Sequence, residues 1–179
     1  MDKMVVMRRC ALKYCVLDRG DALSRDLAAK FVRLADERGL VRDDAEPDVV
    51  LTVGGDGTML HAFHRFRNRL DTIAFVGIHT GHLGFYTDWK PNEIDQLADL
   101  MASGGGIGDR TVKYPLLEIR ITTDRGTESY LALNEFTLKG ADATLVAQLN
   151  INDEPFEIFR GDGICISTPS GSTAYNKSL

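Results

Sequence analysis

The chain has 179 residues, 44% of them hydrophobic, which is enough for a buried core in one domain or two small ones. Its net charge of −5 lacks the basic excess of nucleic-acid and membrane-surface binders, so we expect neither partner. No stretch has the length of a membrane span, and the start is not read as a signal peptide. Three cysteines without metal-like spacing predict reduced thiols in a cytoplasmic protein: Cys10, Cys15 and Cys165.

Strands and helices alternate in the first part of the chain. Residues 12–17 predict a strand, and the apolar stripe of residues 23–34 predicts a helix that stops at Gly39. Residues 49–53 and 73–78 are apolar runs typical of strands buried on both faces of a parallel sheet. A last helix opens at Pro91 and ends at the glycines of residues 104–106. Residues 1–103 therefore form a predicted α/β domain.

A glycine-rich loop, Gly-Gly-Asp-Gly at residues 54–57, joins the strand at 49–53 to a predicted helix at 58–66. The glycines let the backbone turn tightly and approach a ligand. Free N–H groups and the positive end of the helix dipole suit a phosphate. We expect Thr58 to cap this helix.

Asp56 is the unusual residue of the loop, because a carboxylate opposes anion binding. Two interpretations are open. Asp56 is a general base that takes the proton of a hydroxyl acceptor during phosphoryl transfer. Alternatively, it only accepts hydrogen bonds from turn amides.

A second glycine loop, residues 79–86, follows the predicted strand at 73–78. Ligands of open α/β sheets bind at the carboxyl ends of the strands, so the two loops could face one crevice. His61 and His64 share a helix face, but no third metal ligand is evident. We interpret the histidines as solvated or as lying at the edge of the core.

The pattern changes after Ser103, where helical spacing disappears. Apolar residues alternate near residues 117–121, 131–136 and 145–151, and a turn at Asn152 and Asp153 leads back through residues 156–159 as a hairpin. We place a domain boundary near residues 104–110. Residues 111–179 then form an all-β domain of about five strands.

Polar residues interrupt this second domain at two places. Asn134 and Glu135 lie within a predicted apolar strand, residues 130–138, where they are costly unless they are paired or bind a ligand. The alternative is that they are polar residues of an edge strand. Asp162 lies between two glycines, and five hydroxyl residues follow within residues 167–173. These hydroxyls can bind a polar ligand or belong to a surface loop.

Taken together and in this order, the motifs resemble the signatures of bacterial NAD kinases: residues 54–57, 80–85, 134–135, 161–163 and 167–175. The resemblance covers roughly residues 12–179. Gly-Gly-Asp-Gly alone would also suit the related lipid kinases and phosphofructokinases. Members of the family continue past the position of Leu179 and add strands to the β domain.

The resemblance implies both a fold and an activity. The fold is a Rossmann-like α/β domain followed by a β-rich domain. The activity is transfer of a phosphoryl group from ATP, or from polyphosphate, to the adenosine-ribose 2′-hydroxyl of NAD⁺, with Mg²⁺ or another divalent metal. Members form homodimers or homotetramers. The chain has neither a Walker A motif nor Gly-x-Gly-x-x-Gly, so the dinucleotide would be an acceptor held between domains.

The resemblance also implies site residues, although it names no metal ligands. Asp56 would be the general base, and the donor phosphates would contact Gly54, Gly55, Gly57 and Thr58. On the first domain, the NAD⁺ pocket would be formed by Asp56, Gly57, Leu60 and Phe85. Its adenosine part would bind Asn134 and Glu135, and its adenine side would contact Ser170, Thr173 and Ala174. Asp162 and Tyr175 would contact the nicotinamide side across a subunit interface.

The sequence leaves two rival functions open. One is a lipid kinase of the same superfamily, and the other is a nucleotide-sensing module that has lost the chemistry. We also expect that, without the family's further strands, an apolar face of the β domain is partly uncovered. Its residues are Leu145, Ala147, Leu149 and Ile151.

Overall fold

The computed structural model describes residues 11–103 and 111–179. The chain divides into two compact units, Met1–Val112 and Lys113–Leu179. The domain boundary and the glycine helix stop predicted at residues 104–110 fall outside the described residues. None of the described helices is long and apolar enough to cross a membrane.

The first unit is a four-stranded parallel sheet with helices on both faces. Its elements are β1 (Lys13–Asp18), α1 (Ala22–Glu37), β2 (Val41–Arg42), β3 (Val49–Gly54), α2 (Asp56–Arg65), β4 (Ala74–His79) and α3 (Ile94–Ala102), with 3₁₀ turns at Arg67–Arg69 and Pro91–Glu93. The strand order is β2-β1-β3-β4. The predicted α/β architecture is confirmed. The sequence showed no sign of β2, because a two-residue strand is too short to carry a periodic pattern.

The core of this unit is centred on β3, every residue of which is buried. Leu51 packs with α1 and α3 on one face of the sheet, while Val50 packs with α2 on the other. A strand covered on both faces has no polar face, which explains the unbroken apolar run at residues 49–53. Helix α1 begins where Asp21 accepts a hydrogen bond from the Ser24 N–H, and Gly39 follows its end with φ of 72°.

Helix α2 begins at Asp56, two residues earlier than predicted. Gly55 is its N-cap and makes no side-chain capping bond. The prediction that Thr58 caps this helix is therefore wrong, because a cap residue must precede the first helical residue. Thr58 lies instead within the first turn, where it is buried.

The second unit contains six described strands rather than about five: β5 (Leu117–Thr123), β6 (Gly126–Ala132), β7 (Glu135–Lys139), β8 (Leu145–Ile151), β9 (Glu154–Gly161) and β10 (Gly163–Ser167). They form three antiparallel pairs, β5–β6, β7–β10 and β8–β9. Two 3₁₀ turns follow, at Gly171–Thr173 and Tyr175–Ser178. Asn152 and Asp153 both have positive φ, as expected for a tight hairpin turn, so the predicted hairpin is confirmed.

The predicted single strand at residues 130–138 is wrong. The chain bends at Leu133 and Asn134, so β6 ends before the bend and Glu135 begins β7. The bend exists because the two strands have different partners, with β6 pairing with β5 and β7 pairing with β10. Asn134 is therefore a bend residue rather than a residue in the middle of a strand.

Burial in the second unit is concentrated at this bend. Leu133, Thr168 and Gly171 are its buried residues among those the structure describes. The β8–β9 hairpin leaves Phe156 64% exposed and Ile158 66% exposed. On β8 the alternating residues Leu145, Ala147 and Leu149 are half-buried, and Ile151 is exposed, which agrees with the expectation of a partly uncovered face.

Candidate functional site

Three loops meet at the carboxyl edge of the parallel sheet, after β1, β3 and β4. The Arg19 N–H donates to the Val53 carbonyl at 3.0 Å, and the Thr80 N–H donates to the Gly54 carbonyl at 2.9 Å. These bonds tie the loop after β1 and the second glycine loop to the end of β3. The expected meeting of the two glycine loops is therefore observed.

The Asp56 carboxylate is held by backbone amides of the second glycine loop. Oδ2 accepts from the Phe85 N–H at 2.9 Å, and Oδ1 accepts from the Tyr86 N–H at 3.0 Å. Bonds to a charged acceptor are stronger than neutral ones, so this pair fixes the orientation of the carboxylate. A carboxylate has about four acceptor positions, which leaves Asp56 able to accept a hydroxyl proton as well. Both interpretations of Asp56 are compatible with this geometry, and its role as the base stays a prediction.

The glycines of the two loops differ in what they make possible. A Cβ on Gly54 would lie 2.2 Å from Thr58 Oγ1, so this glycine lets Thr58 pack under the loop. A Cβ on Gly84 would lie 2.2 Å from Asp56 Oδ1, so Gly84 makes room for the carboxylate. Gly55 and Gly57 have no neighbour within 4 Å at the Cβ position, so their backbone is open to a ligand.

An open hollow of about 440 Å³ adjoins this loop and is lined by Asp18, Arg19, Gly55, Gly57, Thr58 and His61. It lies at the N-terminus of α2, where unpaired N–H groups and the helix dipole favour an anion. Arg19 adds a cationic side chain, which bonds to Asp21 Oδ2 at 2.8 Å. The sequence interpretation did not single out Arg19, since a lone arginine in a turn carries no recognisable motif.

The other predicted residues of the first unit lie close by in the chain. Leu60 is half-buried on α2, and Phe85 is 52% exposed in the second loop. His61, His64 and His82 are exposed. Among the described residues, no group of three or more histidine, cysteine, aspartate or glutamate side chains could hold a metal ion.

In the second unit, one buried threonine connects the Asn134 bend to the hydroxyl-rich loop. Thr168 Oγ1 lies 2.7 Å from the Leu133 carbonyl and accepts from the Gly171 N–H at 2.9 Å. The Thr168 N–H donates to the Asn134 carbonyl at 2.8 Å. The loop fits so closely that a Cβ on Gly171 would lie 2.0 Å from the Asn134 carbonyl oxygen. Of the five hydroxyls that could bind a ligand or belong to a surface loop, that of Thr168 is therefore used within the fold.

Glu135 contributes a carboxylate oxygen, Oε2, that is buried without a hydrogen-bond partner among the described residues. Buried polar atoms are nearly always paired, so an orphan acceptor of this kind indicates a missing partner. Ser170 lies near the bend that precedes Glu135, because its hydroxyl is 3.1 Å from Thr168 Oγ1, which is itself 3.2 Å from the Asn134 carbonyl oxygen. The structure thus brings Asn134, Glu135 and Ser170 to one place.

The remaining predicted residues lie along the same unit. The Thr173 hydroxyl donates to the Ser170 carbonyl at 3.5 Å, and the Ala174 N–H donates to the Gly171 carbonyl at 2.9 Å. Lys139 Nζ lies 2.6 Å from the Tyr175 hydroxyl and 4.9 Å from the centre of its ring. Asp162 is exposed, and its carbonyl accepts from the Gly140 N–H at 3.1 Å.

The described residues thus combine a glycine-rich loop at the carboxyl edge of a parallel sheet with a second unit of paired antiparallel strands. Two family models match the chain: the ATP-NAD kinase N-terminal domain at residues 18–106 and the ATP-NAD kinase C-terminal domain at residues 133–178. The chain belongs to the NAD kinase family.

Curated relatives agree with the family models. The chain is 51% identical over 170 residues to NAD kinase 1 of Bacillus anthracis, 52% to that of Halalkalibacterium halodurans and 50% to that of Bacillus subtilis. Each match covers 94% of this chain and 63% of the relative. The chain therefore spans less than two thirds of the length of these relatives.

Solved structures show the same fold. A crystal structure of yeast NADH kinase complexed with NADH superposes with a TM-score of 0.72 at 17% identity, covering 96% of this chain and 61% of that one. An NAD kinase from Archaeoglobus fulgidus in complex with ATP superposes with a TM-score of 0.70 at 20% identity, covering 93% and 65%.

Proposed function

We propose that the protein to which this chain belongs is an NAD kinase. It transfers a phosphoryl group from ATP, or from polyphosphate, to the adenosine-ribose 2′-hydroxyl of NAD⁺ and produces NADP⁺. The observation that carries the proposal is the Asp56 carboxylate, which two backbone amides orient beside a glycine loop open to phosphate. The similarity to curated NAD kinases supports the same activity.

Phosphoryl transfer needs positioning and electrostatic stabilisation more than covalent chemistry. In this proposal the open backbone at Gly55 and Gly57, with Gly54 and Thr58 beneath it, holds the donor phosphates at the N-terminus of α2. Asp56 takes the proton of the attacking 2′-hydroxyl, and the amides of Phe85 and Tyr86 hold its carboxylate in one orientation for that transfer.

We assign Leu60 and Phe85 to contacts with NAD⁺ on the first unit, where Phe85 offers a half-exposed ring. Asn134 and Glu135 would bind the adenosine part, since a ligand donor would satisfy the orphan oxygen of Glu135. The adenine side would contact Ser170, Thr173 and Ala174, and the nicotinamide side would contact Asp162 and Tyr175.

The residues present fit a divalent metal that is held mainly by the donor. Mg²⁺ keeps several waters and binds through one or two carboxylates and the substrate phosphates, so it does not need a dedicated protein cage. Asp18, which lines the hollow beside the glycine loop, would add a carboxylate to its coordination. When bound, the metal neutralises charge that develops on the transferred phosphoryl group.

We further propose a homodimer or homotetramer in the cytoplasm, in which Asp162 and Tyr175 reach the active site of a neighbouring subunit. Light scattering measures the assembly. Mixing a Tyr175 variant with an Asp56 variant tests the shared site, because shared sites make the activity of the mixture differ from that of either variant alone.

The activity is tested by offering γ-labelled ATP with Mg²⁺ and three separate acceptors, NAD⁺, NADH and diacylglycerol. The protein should extend to its natural end, with the 179-residue chain assayed in parallel. We expect label in NAD⁺ and none in the lipid. Label in diacylglycerol alone would identify the related lipid kinase, and binding of NAD⁺ without transfer would identify a module that has lost the chemistry.

A further inference from the structure

His79, the last residue of β4, is held on both sides by the backbone. It pairs with Gly54 in the sheet, and its N–H donates to the Trp89 carbonyl at 2.9 Å. Its ring Nδ1 lies 3.0 Å from the Gly81 carbonyl oxygen. Since a carbonyl only accepts, Nδ1 carries the hydrogen and donates it.

The other ring nitrogen of His79, Nε2, is buried and has no hydrogen-bond partner among the described residues. A buried unpaired acceptor is unfavourable, so an apolar ring would fill this space better if packing were the ring's only role. The bond from Nδ1 to Gly81 is therefore the contribution that a histidine makes here and a phenylalanine would not.

That bond lies within the loop that holds Asp56. The loop is attached to β3 at its start by the bond from Thr80 to Gly54. It is attached to the Asp56 carboxylate at its end by the amides of Phe85 and Tyr86. Between these two attachments, the His79 ring bonds to the Gly81 carbonyl within the loop.

We propose that His79 is a positioning residue, whose Nδ1–H fixes the course of residues 80–86 so that their amides orient the Asp56 carboxylate. The orientation is a property of the fold. Its importance for turnover rests on the proposed kinase function. Gly84 belongs to the same arrangement, because only a residue without Cβ lets the carboxylate approach the loop this closely.

Two variants separate the hydrogen bond from ring packing. His79→Asn keeps an N–H donor near the place of Nδ1 but loses the ring, whereas His79→Phe keeps a ring without the donor. Hydrogen exchange of the Phe85 and Tyr86 amides, read by NMR, reports whether they still bond to Asp56. The amides of Val50 and Leu51 in β3 report whether the unit remains folded.

We expect exchange at Phe85 and Tyr86 to become roughly tenfold faster in His79→Phe and to stay within about threefold of the parent in His79→Asn. Protection retained in His79→Phe and lost in His79→Asn would overturn the proposal in favour of packing. Unchanged protection in both variants would show that the loop needs neither group. These readings do not depend on any enzymatic activity.

If the protein phosphorylates NAD⁺, the variants also give a kinetic readout. We expect kcat to fall about tenfold in His79→Phe with little change in KM for NAD⁺, and to recover within about threefold in His79→Asn. Equal losses of kcat in both variants would overturn the link between loop position and turnover, whatever the exchange results show.

Discussion

The loop around Asp56 and the bend at Asn134 are both fixed by hydrogen bonds between distant parts of the chain, yet they have different supports. The Asp56 loop extends from β3, which is buried on both faces under helices. The Asn134 bend lies in a unit whose buried described residues are Leu133, Thr168 and Gly171. A large core supports the first region, and a small polar network supports the second.

This difference matches what each region would have to do. A catalytic carboxylate must be held within a fraction of an ångström, which a rigid sheet edge can provide. A binding pocket can be less rigid before its ligand arrives, because the ligand supplies some of the missing bonds. In the proposed function, the orphan oxygen of Glu135 would form one of these bonds with NAD⁺.

The largest expected contrast is in local stability, measured by hydrogen exchange on the 179-residue chain. We expect the amides of β3 and β4 to exchange at least about 10³-fold more slowly than those of β8 and β9, because only the former lie under helices on both faces. Similar protection in the two units would contradict the contrast and show that the β unit is stable by itself.

The alkylation rates of two cysteines test the same difference in stability between the two units. Cys15 is fully buried in the first unit, and burial raises the pKa of its thiol to about 11, so the reactive thiolate is scarce. Cys165 is half-buried in the second unit, near the Thr137 hydroxyl. In a Cys10→Ser background at pH 8, iodoacetamide should modify Cys165 roughly 100-fold faster than Cys15. Equal rates would mean that the first unit opens as readily as the second.

The raised pKa of Cys15 also predicts a pH dependence of stability. The unfolded thiol ionises near pH 9, its ordinary value, while the folded thiol keeps its proton up to about 11. The free energy of unfolding therefore falls as pH rises through this window, by up to roughly 3 kcal/mol. In denaturant titrations at pH 8 and pH 11, Cys15→Ala should lack the part of the decrease in the free energy of unfolding that the thiol causes. An identical loss in the variant would exclude the thiol as its source.

The smallest expected effect concerns Thr168. Thr168→Val keeps the shape of the side chain and removes the hydroxyl that links Leu133 to Gly171. We expect NAD⁺ affinity, measured by calorimetry on the full-length protein, to fall about three- to tenfold because the Asn134 bend loosens. Thr168→Ser restores the hydroxyl and should bind within about twofold of the parent. Unchanged affinity in Thr168→Val would show that the hydrogen bonds of Thr168 do not contribute to NAD⁺ binding.

Local patterns predicted most of the first unit. The apolar run at residues 49–53 and the stripe ending at Gly39 are signals that the core of an α/β sheet imposes directly on the sequence. The meeting of the two glycine loops was also predictable, because both loops follow parallel strands and lie at the carboxyl edge of the sheet, where ligands bind. The start of α2 at Asp56 could not be predicted in this way, because its N-cap residue, Gly55, has no side chain that would mark the start of a helix.

The second unit was harder to predict because its strands change partners. The apolar pattern at residues 130–138 is continuous along the chain. In the structure this segment is divided at Asn134 into two strands, of which β6 pairs with β5 and β7 pairs with β10. The role of Thr168 was equally hidden, since the carbonyl it bonds to is 35 residues away. The amides that hold Asp56 are 29 and 30 residues away, and no spacing rule connects them.

The central claim is that Asp56 is the base of a phosphoryl transfer to NAD⁺. The most direct measurement compares Asp56→Asn with the parent in the full-length protein, with kcat and the Kd for NAD⁺ determined separately. We expect kcat to fall by roughly 10²-fold or more, as loss of a general base typically causes, while Kd stays within a few-fold. A change in kcat of less than threefold would contradict the central claim and leave Asp56 as a loop residue that only accepts hydrogen bonds from turn amides.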